Sequence, residues 1–324
     1  MAPVANDPRD IAASAVIAAL GDNTAPTVSR TFSVMGTTAH ITLVGATELM
    51  MADLHVMIVD MEHRWSRFRA DSEISRLNWA EGAPVAVSTD TAVLIQGMRA
   101  AHAVTRGVFD PTILPRLVEL GYAQSRRDAS MRTELPASAR YPGDMAGVVV
   151  NGDVVTMPRG TAVDPGGIGK GFAADMAVAH ARELGALGAM VEIGGDLRID
   201  GEAPDGSVWR IGIENPFVRT EHMKIIALKD GAVATSSRLK RVWDQDGEQR
   251  NHLVDSIDGQ SMGGEVVTVS VIAATATRAE VLTKPGFVWP VAEYLRWLPT
   301  VAAAGIVVLA DGTCIESDNW SDYE

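Results

Sequence analysis

Cysteine is almost missing from this chain: Cys314 is the only one in 324 residues. That excludes an internal disulfide and a cysteine-rich metal site, and it fits a reducing compartment. Basic residues are also short, with 28 Lys and Arg against 41 Asp and Glu. The resulting charge of -13 argues against a nucleic-acid partner, because a phosphate backbone calls for clustered Lys and Arg. The nearest approach to a basic cluster, Arg238, Lys240 and Arg241, is long enough only to touch one nucleotide phosphate. No apolar run is long enough to cross a bilayer, so no transmembrane segment is expected. The patch from Ile11 to Leu20 follows Asp7, Arg9 and Asp10 and reads as a short helix or tail. Internal repeats and a Pro/Ser-rich linker are absent too. With 47% hydrophobic and 21% charged residues the chain can bury one large core. The expected organisation is a tail over 1–30, one domain over 31–318 and a tail over 319–324.

What is present alternates between two periodicities. Thr31 to Val44 reads as a strand that Met35-Gly36-Thr37 interrupts or bends. Met50, Leu54, Met57, Ile58, Met61 and Trp65 then recur on one helical face, with Thr47 placed to cap its start. Helices are expected over Asp90 to Thr105, Ile113 to Leu120 and Ile168 to Leu184, each followed by glycine. Asn151-Gly152 between two valine runs signals a hairpin. Strands recur at Ala189 to Ile193, Leu197 to Ile199, Trp209 to Ile213, Lys224 to Leu228 and Val266 to Ile272, with a last hairpin around Asp311-Gly312. Runs of strands broken by a few helices predict an α+β fold of mixed or antiparallel sheets with flanking helices. The polar stretch from Gln124 to Asp144 reads as a surface excursion without chemistry.

The densest chemistry lies in Asp164-Pro-Gly-Gly-Ile-Gly-Lys170-Gly171-Phe172. Glycines admit a ligand close to the backbone, the first N–H groups of a helix lack internal partners, and Lys170 adds a positive charge beside them. A phosphate is the expected ligand, with Asp164 accepting from a sugar or heterocycle. The run is neither a Walker loop, which needs Gly at 164 and Ser or Thr at 171, nor a dinucleotide fingerprint. The competing reading is a tight turn whose lysine sits in water.

Around this loop the chain carries, in order, Met35-Gly36-Thr37, Trp65-Ser66-Arg67-Phe68, Gly107-Val108-Phe109-Asp110-Pro111-Thr112, Glu192-Ile193-Gly194-Gly195-Asp196, Ala234-Thr235-Ser236-Ser237 and His252-Leu253-Val254-Asp255. That series resembles the FAD:protein FMN transferase (ApbE) family from about Phe32 to Ser317. The resemblance implies two lobes enclosing a flavin cleft, with FAD as substrate, Mg²⁺ as cofactor and a protein bearing a threonine as acceptor. The implied reaction moves FMN onto the threonine hydroxyl and releases AMP. It implies FAD contacts from Asp164 and Lys170, and a flavin site lined by Met35, Phe68, Val108, Phe109 and Asp110. It also implies ligand contacts from Thr235, His252 and Leu253, with Lys170 and His252 as the catalytic pair. For Thr235 simple turn chemistry, and for His252 a structural hydrogen bond, are the alternatives. Many members are exported lipoproteins, but no cysteine lies near the start of this chain, and a cytoplasmic location is expected.

One stretch departs from the family. Two Mg²⁺ ligands, Asp and a Thr four residues on, are replaced by Glu280 and Lys284, leaving the Gly167 carbonyl as the third implied ligand. Glutamate can serve a Mg²⁺ ion, whereas an ammonium cannot be a ligand and competes with the metal. Thr283 is one residue out of register and is expected to point elsewhere, and Thr277-Arg-Ala-Glu280 is also a capping-box pattern. The alternatives to a transferase are therefore a catalytically weak FAD-binding protein and an FAD pyrophosphate hydrolase.

Overall fold

The computed structural model describes residues 25–125, 127–218, 220–245 and 247–324, so the Ile11 to Leu20 patch lies outside the described residues. In chain order the elements begin with β1 (Thr27–Val34), β2 (Thr37–Val44), α1 (Glu48–Trp65), α2 (Glu73–Asn78), β3 (Val85–Ala86), α3 (Thr89–Val104) and α4 (Leu114–Glu119). They continue with β4 (Val149–Asn151), β5 (Val154–Thr156), α5 (Gly169–Glu183), β6 (Gly188–Ile193), β7 (Asp196–Gly201), β8 (Trp209–Glu214), β9 (His222–Leu228) and β10 (Asp230–Ser237). The remainder are β11 (Val242–Gln245), β12 (Glu248–Asn251), β13 (Val266–Ala273), α6 (Ala276–Leu282), α7 (Val291–Trp297), β14 (Ala304–Leu309) and β15 (Cys314–Glu316).

Eight strands make one sheet in the order β1-β2-β6-β7-β10-β13-β14-β15, with every ladder antiparallel. The α+β expectation therefore holds. Its central strands read as continuous apolar runs because both faces are covered; all eight residues of β13 are buried. On one face Ile41, Val191 and Val271 meet Leu54, Ile58, Ala174, Ala177 and Ala279 from α1, α5 and α6. On the other, Met190, Ile199 and Ile306 meet Trp209, Ile211 and Ile226 of the β8–β9 hairpin, together with Trp320.

Helix α1 follows its sequence closely: Thr47 accepts a hydrogen bond from Met50 N, and Met51, Leu54, Ile58, Met61 and Trp65 form the buried stripe. Of the two readings of the Met35-Gly36-Thr37 step, the interruption holds. Met35 and Gly36 both take left-handed φ, 50° and 70°, and Val34 pairs with Thr37, so the break is a two-residue hairpin turn rather than a bend. Gly194 and Gly195 make the same turn between β6 and β7. In the later hairpin Asn151 pairs with Val154, which moves the turn one residue on, to Gly152-Asp153.

These choices place one end of the sheet for use. The β1–β2 turn, the β6–β7 turn and the final residues of β10 all reach it, and α1 ends there while α5 begins there.

Candidate active site

A cleft of ≈ 520 Å³ opens at that end, within the range of small-molecule sites. Every residue singled out for a ligand or metal role lines it: Met35, Phe68, Val108, Phe109, Asp110, Asp164, Gly167, Lys170, Thr235, His252, Leu253, Glu280 and Lys284. Several are already fixed by neighbours. Met35 N donates to Glu62 Oε1 at 2.8 Å, Asp110 Oδ1 caps Thr112 N at 2.8 Å, and the Thr235 hydroxyl bonds Ser270 Oγ at 2.8 Å. Phe109 packs so closely on the loop that a Cβ on Gly167 would lie 2.9 Å from its ring.

At the loop, Asp164 Oδ1 accepts from Gly166 N at 2.9 Å and its Oδ2 lies 3.4 Å from Arg67 Nε. Lys170, in the first turn of α5, does not sit in water. Its Nζ is 2.6 Å from Asp196 Oδ2 and in direct contact with Glu280 Oε1, and all three side chains are buried or nearly so. Burial opposes the Lys170 charge, but Asp196 and Glu280 outweigh it and hold the ammonium above its ordinary range. Glu280 Oε2 also accepts from Gly171 N at 2.9 Å, so the negative group at the start of α5 is the chain's own carboxylate. This corrects the capping-box reading: α6 is capped by Thr275, which accepts from Arg278 N, and Glu280 faces α5 instead. Asp196, at the end of the β6–β7 turn, is likewise a partner of Lys170. Its carboxyl is pushed up by burial and by Glu280.

Lys284 lies beside this pair. Its Nζ donates to Ser236 Oγ at 2.9 Å, to the Glu280 carbonyl at 2.9 Å and to Thr283 Oγ1 at 3.0 Å. Thr283 therefore does not point elsewhere; the 3-10 turn that starts at Lys284 brings it under the ammonium, and its hydroxyl also meets Ser236 Oγ at 2.7 Å. Burial lowers the Lys284 pKa to about 8 against the opposing pull of Glu280 and Asp196.

Sequence reasoning missed the partners of Phe68 in one wall. Arg67 lies over Phe68 and Tyr122, with its guanidinium carbon 4.3 and 4.7 Å from the ring centroids, and Tyr122 stacks on Trp243 at 5.4 Å. Arg67 is held by Thr133 Oγ1 at 2.7 Å and the Tyr122 carbonyl at 3.0 Å. Thr133 belongs to the Gln124 to Asp144 excursion, and Ser125, Arg127, Asp128 and Met131 edge the cleft. That stretch is therefore part of the site, a correction that its polar composition could not announce. Of the basic cluster, Lys240 and Arg241 line the cleft, Lys240 paired there with Glu214, whereas Arg238 donates to the Val266 carbonyl.

His252 is held well below its ordinary pKa by burial and by Arg241, Lys284 and Lys170, which leaves the imidazole neutral, and its Nδ1 has no hydrogen-bond partner. Behind the Gly194-Gly195 turn, Glu192 Oε1 accepts from Gly195 N while Oε2 has no partner. Burial raises this carboxyl from 4.5 to about 7. Between those values the folded chain keeps a proton that the unfolded chain has lost, so stability is full at low pH and falls as pH rises through 7, by on the order of 3 kcal/mol. Glu192→Gln is expected to flatten that part of the profile; denaturant midpoints across about pH 5 to 8 measure it. An unchanged slope would assign the titration to another group.

A family model described as the ApbE family matches residues 35–307. The chain belongs to the ApbE family. Among its relatives is the FAD:protein FMN transferase of Vibrio cholerae, 28% identical over 256 residues, 76% of each chain. The protein of the same name from Haemophilus influenzae is 26% identical over 277 residues, 81% of this chain and 80% of its own. The crystal structure of the ApbE protein from Thermotoga maritima superposes with a TM-score of 0.81 at 26% identity, covering 92% of this chain and 99% of its own.

The Mg²⁺ that an ApbE chain implies does not fit the residues present. Both Glu280 oxygens are engaged, by Lys170 and by Gly171 N, and the position of the expected threonine holds the Lys284 ammonium, whose neighbours are the nearby oxygens. A dication about 4 Å from an ammonium would be repelled by on the order of 8 kcal/mol at an effective dielectric of 20. Among the described residues no group of three or more His, Cys, Asp or Glu could hold a metal ion.

Proposed function

We propose that this ApbE chain is an FAD:protein FMN transferase that moves FMN from FAD onto a threonine hydroxyl of an acceptor protein and releases AMP. The observation that carries the reading is a single cleft in which Asp164, the α5 N-terminus, the Lys170 cluster and a neutral His252 face one space. The Arg67, Phe68 and Tyr122 wall suits a flat heterocycle, and the Asp164 to Gly171 loop suits the pyrophosphate and nucleotide half. The threonine oxygen forms the new bond to the FMN phosphorus as the bridging P–O bond breaks, and AMP leaves with that electron pair. His252, which lines the cleft and is neutral, takes the hydroxyl proton. Lys170 and Lys284 offset phosphate charge; no step is routed through a metal, because the residues at the expected Mg²⁺ position do not fit one. Among the described residues no helix is long and apolar enough to cross a membrane. The single cysteine supports a cytoplasmic setting.

Incubation with FAD and a threonine-bearing acceptor should give a covalent FMN mass shift on the acceptor together with AMP. Free FMN and AMP without that shift would identify a hydrolase, and neither product would leave a binding protein. FAD should also bind at least about tenfold more tightly than FMN in calorimetry, since FMN lacks the half that the loop engages. Equal affinities would remove the loop assignment.

A further inference from the structure

Lys284 sits in an oxygen cage. Its three N–H directions are met by Ser236 Oγ on β10, the Glu280 carbonyl on α6 and Thr283 Oγ1, at 2.9, 2.9 and 3.0 Å. Those acceptors are themselves linked, since Ser236 Oγ and Thr283 Oγ1 are 2.7 Å apart and Thr283 donates to the Glu280 carbonyl at 2.7 Å. The lysine stem runs beside the glycine loop, so that a Cβ on Gly167 would lie 3.5 Å from Lys284 Cε. Lys170 is meanwhile committed to Asp196 and Glu280. The oxygens that a hard cation would need are thus spent on two ammonium groups, one of them placed against the loop on the floor of the cleft.

We propose that the Lys284 ammonium is a built-in replacement for a divalent metal: it supplies the fixed positive charge beside the loop, and FAD is bound without a divalent ion. The proposal rests on the reading above that FAD is the substrate. Because its three N–H groups are met by the chain, Lys284 acts on the pyrophosphate through its charge rather than through a hydrogen bond, and the linked hydroxyls of Ser236 and Thr283 position it.

The test is FAD affinity by calorimetry in chelator and in excess Mg²⁺. The wild-type values should agree within about twofold, whereas a metal requirement would show as a large loss in chelator. Lys284→Met should weaken FAD binding about tenfold or more in chelator, because the fixed charge beside the loop is lost. Equal affinity in a folded Lys284→Met protein overturns the proposal, as does FAD that binds in Mg²⁺ and is released in chelator. Mn²⁺ titration of the FAD-loaded wild type by electron paramagnetic resonance needs no variant to fold: stoichiometric uptake at micromolar Mn²⁺ overturns the proposal, and its absence supports it. FAD binding under neither condition would instead overturn the substrate reading itself, a distinct outcome.

Discussion

Lys170→Met is expected to lower the stability of the fold by about 3–5 kcal/mol, because it leaves two buried carboxylates without their cation. The lysine joins α5 to α6 through Glu280 and to the β6–β7 turn through Asp196, all within a few ångströms of the cleft. Two like charges so close and so far from water cannot both stay ionised, and one carboxyl would have to take a proton. Pairing the substitution with Glu280→Gln should recover part of the loss, since the second change removes the stranded charge; a double-mutant cycle by urea denaturation measures that coupling. FAD binding should fall in the single variant even in the folded fraction. A loss below about 1 kcal/mol would mean that the lysine sits in water, as a plain glycine turn would have it.

Gly171→Ala should be nearly as damaging, by about 3 kcal/mol, and for a reason of shape alone. A Cβ there would stand 2.5 Å from the Ala276 carbonyl oxygen, 2.6 Å from its carbon and 2.8 Å from Thr277 N. Those are backbone atoms at the start of α6, and they cannot step aside, because Asp175 holds Ala276 N at 2.7 Å and Thr277 N at 2.9 Å. Relief would come only by moving α6, which carries Glu280 and Lys284 with it. Thermal denaturation alongside FAD titration checks both consequences; a stable variant with normal affinity would show that the two helices tolerate separation.

What could be read from the sequence was local. The α1 stripe, its Thr47 cap, the glycine-ended helices and the loop from Asp164 to Gly171 each declare themselves within a dozen residues. Strand β10 did not, because Asp-Gly-Ala-Val-Ala-Thr-Ser-Ser has little β propensity and becomes a central strand only through the burial its neighbours impose. The partners of Lys170 were hidden for a different reason: Glu280 is 110 positions away and nothing in its own segment names α5. One available signal was the i, i+4 spacing of Glu280 and Lys284, which brings two charges together at the end of an apolar segment, although Lys284 falls just past α6 in the 3-10 turn. Tyr122 and Arg67 had no such signal, since their meeting depends on the path of an irregular loop.

The distance along the chain between Lys170 and Glu280 also sets an order of events. At typical rates of synthesis the glycine loop leaves the ribosome roughly 5–20 s before α6 exists. Through that interval Lys170 has no Glu280 to meet, and the face of α5 that will carry Gly171 against Ala276 has nothing to close on. The contact between these two helices therefore cannot form, and the ligand-binding end of the sheet is not completed, until α6 has been made.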